Sequence, residues 1–249
     1  MDAALLLCLA ILGTEPDAAA RGIAQNENFL VSAPTQESAE QILATANFFR
    51  HEISRDWLGK KQSPLIPKSA IDVTFSERDN WAGLQFPNQR ERVGFRIALA
   101  TRKTFRELPS LRHEIVHLVL HTEFGDRLPA WADEGAACTE DSAELKATLR
   151  GTIDWYPFTR KWPSLARLLD RERIDATDYQ EYAVAWSLSQ FLLERGGKGK
   201  MLKFAVDGKA TDWNSALRKH YDIADLTVLQ EQWQNWATKN NNTTAFVSD

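Results

Sequence analysis

The chain has 249 residues, 43% of them hydrophobic, enough to bury a sizeable core in one large domain or two small ones. Its net charge is -4 and its basic residues are scattered among acidic ones, which excludes a nucleic-acid-binding surface built on a block of positive charge. The two cysteines, Cys8 and Cys138, form no CxxC pair, so neither a disulfide framework nor a cysteine-held zinc cluster is available.

Ala3 to Leu12 is an uncharged apolar run, too short to span a bilayer as a helix. It fits the apolar core of a secretory signal, with Ala18-Ala19-Ala20 as a small-residue cleavage site, although Met1-Asp2 supplies no positive charge. Residues 1–20 are therefore set apart, and export to the periplasm or outside the cell is expected; otherwise the protein is cytoplasmic. No stable membrane span is expected.

Asn28 to Ser32 reads as a strand ended by Ala33-Pro34. Thr35 is placed to cap a helix over about 36–58, in which Ile42, Leu43, Ala46, Phe49 and Ile53 recur at helical spacing and which Gly59 ends. A proline-containing loop leads to a half-buried strand, Ile71 to Phe75, and residues 77–89 read as an irregular connection. Arg92 to Thr101 alternates as a strand. It is expected to be either the sheet edge bordering a cleft, able to pair with an extended peptide, or an internal strand. Helices are expected over about 110–122 and 130–147, with a loop at Trp155-Tyr156-Pro157 and a short amphipathic piece over 164–169. A strong helix over 179–194 should close at Gly196-Gly197. Helices over 201–206, 212–220 and 226–239 follow, with a disordered tail over 240–249. Nine tryptophans are expected chiefly to anchor helix packing. The pattern predicts an α+β domain: a sheet lobe over about 28–122, then a mostly helical lobe over about 128–239.

The chemistry concentrates in His113-Glu114-Ile115-Val116-His117. Two histidines four apart on a helix differ by about 40° in azimuth and about 6 Å along the axis, so both imidazoles reach one ion. Glu114, on the same turn, can sit beside a metal-held water as general base. The flanking Leu111, Ile115, Val116, Leu118, Val119 and Leu120 predict a buried helix, and buried His and Glu need partners. The plain alternative is a helix whose histidines are merely solvated or satisfied in the core. A third ligand is expected from Glu134: a turn on Gly125 and Pro129 would let an antiparallel helix carry it back to the pair. His121 reads as a surface histidine at the helix end or a support for the ligands. Asp133, Glu140 and Asp141 are all candidates to orient the histidines, with nothing to choose between them.

HEIVH followed by Leu128-Pro129-Ala130-Trp131-Ala132-Asp133-Glu134-Gly135-Ala136-Ala137 resembles the paired motifs of the gluzincin zinc metallopeptidases, specifically the small peptidase MA-like group. The similarity runs softly through most of residues 28–239, including Trp57-Leu58-Gly59, Tyr182, Trp186-Ser187-Leu188, Gly196-Gly197 and the C-terminal Trp233 and Trp236. It implies that His113, His117 and Glu134, seventeen positions beyond His117, hold Zn2+. It also implies that Glu114 is the general base and that Tyr182 stabilises the developing oxyanion, with Tyr179 as second choice. Tyr182 reads equally as a core tyrosine. Where better-known relatives carry Asp four positions after the ligand Glu, this chain has Cys138. Metzincins are disfavoured, since the position six after His117 is Glu123 and Leu120 stands where they carry Gly. The implied activity is hydrolysis of a peptide or protein substrate. Two other readings are a zinc-bearing binding domain without turnover at the cell surface and a zinc amidase acting on cell-wall peptides.

Overall fold

The structure, a computed structural model, describes residues 21–77, 81–86, 94–102, 108–175 and 178–244. The segment expected to be a secretory signal and the last residues of the tail lie outside the described residues, as do Arg92 and Val93. The fold is α+β and mainly helical, with one five-stranded sheet in the order β1-β2-β3-β5-β4. The strands are β1 (Gly22–Gln25), β2 (Phe29–Ala33), β3 (Ser69–Phe75), β4 (Trp81–Gln85) and β5 (Arg96–Thr101). Strands β2, β3 and β5 run parallel, and β1 and β4 close the two edges antiparallel.

Helix α1 (Gln36–Leu58) connects β2 to β3 and is specified at both ends. The Thr35 hydroxyl accepts from the Ser38 amide at 3.1 Å, and Gly59, at φ 67°, donates its amide to the Arg55 carbonyl. Between the caps, Ile42, Ala46, Ile53 and Trp57 are fully buried against the sheet and its neighbouring helices. Helix α2 (Pro109–Phe124) packs on α1, β4 and β5 and buries Leu111 and the whole run Glu114–Leu120. The predicted burial of the HExxH helix is therefore found.

A 3-10 turn over Gly125–Arg127 reverses the chain into α3 (Ala130–Thr139), which packs against α2 and, most extensively, against α6. The helix expected over 130–147 is two helices. Ser142 caps α4 (Ala143–Thr159) by accepting from the Leu145 amide at 3.2 Å, and Glu140 and Asp141 form the turn. Helix α4 continues through Trp155-Tyr156-Pro157, where a loop is expected, because Pro157 falls in the last turn and loses only one backbone bond before Arg160 ends the helix in the left-handed region.

Helix α5 (Leu165–Leu169) matches the short amphipathic piece. In α6 (Tyr179–Ala210) the predicted stop at the paired glycines survives as one non-helical residue, Gly197 at φ 72° and ψ 177°, after which the chain re-enters helix. Helices α7 (Trp213–Tyr221) and α8 (Leu226–Thr244) complete the fold, α8 extending past the expected end at 239. Residues 240–244, expected to be disordered, are thus the last turn of α8.

Two strands escape the sequence pattern. β1 precedes the expected sheet, and β4 lies in the stretch read as irregular. β4 pairs residue for residue with β5, Trp81 opposite Ala100 and Gln85 opposite Arg96. β5 is therefore internal, the second of the two readings for that strand, and the sheet edge belongs to β4. The tryptophans behave largely as expected: Trp57, Trp131 and Trp233 are fully buried, whereas Trp81 and Trp155 are exposed. Among the described residues no helix is long and apolar enough to cross a membrane.

Candidate metal centre

One turn of α2 separates His113 from His117, and their Nε2 atoms lie 3.1 Å apart. Helix α3, returning against α2 after the 3-10 turn, brings Glu134 to the same point. Its Oε2 is 3.5 Å from His117 Nε2 and 3.9 Å from His113 Nε2. The sequence expectation that Glu134 converges on the histidine pair is thus met geometrically, and all three donor atoms fall within 4.8 Å of one another.

The close approach of α3 has a visible cause. A Cβ built on Gly135 would stand 2.6 Å from the Ala185 carbonyl oxygen and 2.1 Å from Ser189 Oγ, both on α6. Only glycine lets α3 lie this close to α6, and Gly135 is the residue directly after Glu134.

These residues fit a tetrahedral cation. With bonds of about 2.0–2.2 Å, the edge of such a coordination tetrahedron is about 3.3–3.5 Å. The three donor separations bracket that length within about half an ångström. Glu134 Oε2 is buried and has no hydrogen-bond partner, an expensive state for a carboxylate oxygen unless something positive meets it.

The charged side chains acting on His117 are carboxylates. Burial by itself would lower the pKa of His117, yet the carboxylates of Asp133, Glu134 and Glu114 outweigh it and push it up to about 10. Burial raises the Glu134 carboxyl above its ordinary range, partly offset by His117 and His113. A pocket with this surplus of carboxylate favours a cation at its centre.

The far nitrogens of both rings are held. Asp141 Oδ1 lies 3.0 Å from His113 Nδ1, and Asp133 Oδ2 lies 2.9 Å from His117 Nδ1 in a close charge contact outside hydrogen-bond geometry. Of the three acidic candidates for this task, Asp133 and Asp141 meet the rings, whereas Glu140 bonds Trp57, Arg112 and Lys198. Burial pushes the Cys138 thiol up, so it remains protonated beside Asp141.

The centre opens into a cleft of about 1580 Å³. Glu114, buried on α2, and Tyr182, near the start of α6, both line it. Burial, then the nearby Glu134, pushes the Tyr182 hydroxyl above its ordinary pKa, so it stays a hydrogen-bond donor across the physiological range. Tyr179 is half-exposed and is not among the residues lining the cleft. His121 lines the cleft but lies outside the histidine–glutamate group; its ring packs at a tilt against Phe86 and edge-to-face with Phe95, at 4.6 and 5.6 Å between centroids, and burial lowers its pKa. The lining also includes Ala82, Gly83 and Leu84 of the edge strand β4. The Trp81–Gln85 stretch shows no apolar–polar alternation, contains a glycine and has polar flanks, so the sequence carried little signal for this strand. No protein-family model and no curated protein matches the chain.

Proposed function

We propose that this protein is a zinc-dependent hydrolase that cleaves peptide bonds, with the gluzincin arrangement of fold and centre. His113, His117 and Glu134 would hold the metal and leave one position open. The single observation that carries the reading is the meeting of three donor atoms from two helices around the buried, unpartnered Glu134 Oε2. A structural zinc site is closed by four protein ligands, whereas three ligands facing an open cleft suit catalysis. When bound, zinc supplies Lewis acidity, lowering the pKa of a water it holds and polarising a carbonyl oxygen.

The remaining tasks fall to the chain. Glu114, next to His113 and facing the cleft, takes the proton of the attacking water and returns it to the leaving amine. Tyr182 keeps its proton and donates a hydrogen bond to the carbonyl oxygen as negative charge builds there. Among the described residues β4 is the last strand on its side of the sheet, and its outer edge offers backbone groups to an extended peptide, giving binding that depends little on side chains.

The test is cleavage of a peptide library by the full-length chain with zinc, with chelator, and after zinc is restored. Cleavage that vanishes with chelator and returns with zinc is expected. Cleavage indifferent to chelation, or none in any condition, would remove the peptidase reading.

A further inference from the structure

Helix α3 ends at Thr139, and the two residues after it grip two consecutive residues of α2. Glu140 Oε2 accepts from Arg112 Nε at 2.9 Å, and Asp141 Oδ1 meets His113 Nδ1 at 3.0 Å. Glu140 is also the meeting point of two other elements. Its Oε1 accepts from Trp57 Nε1 of α1 at 3.1 Å and from Lys198 Nζ of α6 at 2.9 Å. Arg112 reaches on to Glu52 at 3.1 Å, and Lys198 pairs with Asp56. Lys198 follows Gly197 directly, so the break in α6 sets where this anchor starts.

The grip is stiff. The side chains of Glu140 and Asp141 are 12% and 4% exposed, which weakens solvent screening of these contacts. Asp141 accepts from Nδ1–H of His113, which fixes the tautomer and leaves the Nε2 lone pair facing His117 and Glu134. The carboxylate can hold that ring only if the turn carrying it stays in place. The turn lacks glycine and proline, and its backbone bonds run from Glu140 to Ala137 and from Asp141 to Cys138, both within its own helix. What ties it to α1 and α6 is Glu140, which shares with Asp141 the tie to α2.

We propose that Glu140 is a positioning residue for the metal centre, acting through Asp141 on the orientation of His113. The inference rests on the zinc reading above. It makes metal affinity depend on a charge network that touches no metal ligand.

The experiment measures the zinc Kd of the full-length chain by competition with a chromophoric chelator. Asp141→Asn should weaken binding about 10- to 100-fold. Glu140→Gln should weaken it about five-fold or more. In the double variant the Glu140 change should add less than about a factor of two, because its route to the ring is already cut. Should Glu140→Gln fail to fold, Lys198→Met, which removes one anchor of the same carboxylate, should weaken zinc in the same direction.

A Glu140→Gln or Lys198→Met chain that folds and binds zinc at the wild-type Kd overturns the inference while leaving the zinc reading intact. So does a Glu140 effect of equal size with and without Asp141. A wild-type chain that takes up no zinc overturns the zinc reading and this inference with it.

Discussion

Replacing Gly135 by Ala tests whether the contact between α3 and α6 sets the position of Glu134. The added Cβ would meet the Ala185 carbonyl oxygen at 2.6 Å. An ordinary contact starts near 3.4 Å, so α3 must back away by about 3.4 − 2.6 = 0.8 Å, since the obstacle is backbone and cannot rotate aside. Alanine gains about 1 kcal/mol of helix propensity over glycine, while overpacking costs about 1–3 kcal/mol or more. A net loss of up to about 2 kcal/mol follows, which for a chain of this size lowers Tm by up to about 8 °C. A shift of about 0.8 Å in the helix carrying Glu134 is several times the tolerance of about 0.2 Å for a metal ligand. Zinc affinity should therefore fall by about ten-fold or more.

Gly151→Ala is the matched control. Gly151 is exposed inside α4, and a Cβ there meets nothing within 4 Å, so the change should raise stability by about 0.5–1 kcal/mol and leave zinc untouched. Calorimetry and chelator competition on both variants decide the matter. A Gly135→Ala chain with wild-type Tm and wild-type zinc affinity would refute the reasoning.

Three further outcomes are expected. Glu114→Gln should lower kcat by about 10²- to 10⁴-fold with zinc content unchanged, because proton transfer is lost and the ligands are not; turnover near wild type would remove Glu114 as base. Tyr182→Phe should lower kcat by about 10²-fold with little change in KM, whereas a kcat that holds while Tm falls would leave the hydroxyl a structural role only. Stability should decline on the acid side. Burial would raise the pKa of Glu140, but Lys198 and Arg112 outweigh it and hold it below its ordinary value. Its contribution is thus present above the unfolded-state pKa and is lost as pH falls through the lower folded value. Urea midpoints measured from pH 6 down to pH 3 should fall less steeply for Glu140→Gln than for wild type, and parallel curves would contradict this.

The parts of this molecule that were legible in the sequence are those whose determinants are local. Helix α1 carries its own cap at Thr35, its own stop at Gly59 and a single buried stripe between, so both bounds were readable. HExxH fixes two rings on one face by helix geometry alone, and the turn at Gly125–Pro129 made an antiparallel return readable, which is why Glu134 could be placed. Determinants that are tertiary were not legible. β4 exists because β5 offers it a full register of backbone partners, whereas its own five residues include a glycine. The break between α3 and α4 contains neither glycine nor proline, and its one local sign was the cap at Ser142. Choosing between Asp133, Glu140 and Asp141 required the rotation of α3 and the path of the turn after it, neither of which any spacing encodes.

Metal content is the most direct measurement. Purified full-length chain, loaded with zinc and freed of excess by gel filtration, should hold about one zinc per molecule. A Glu134→Ala chain of the same fold should hold far less. Equal stoichiometry in the two proteins, or no zinc in either, would contradict the convergence of His113, His117 and Glu134 on a single ion.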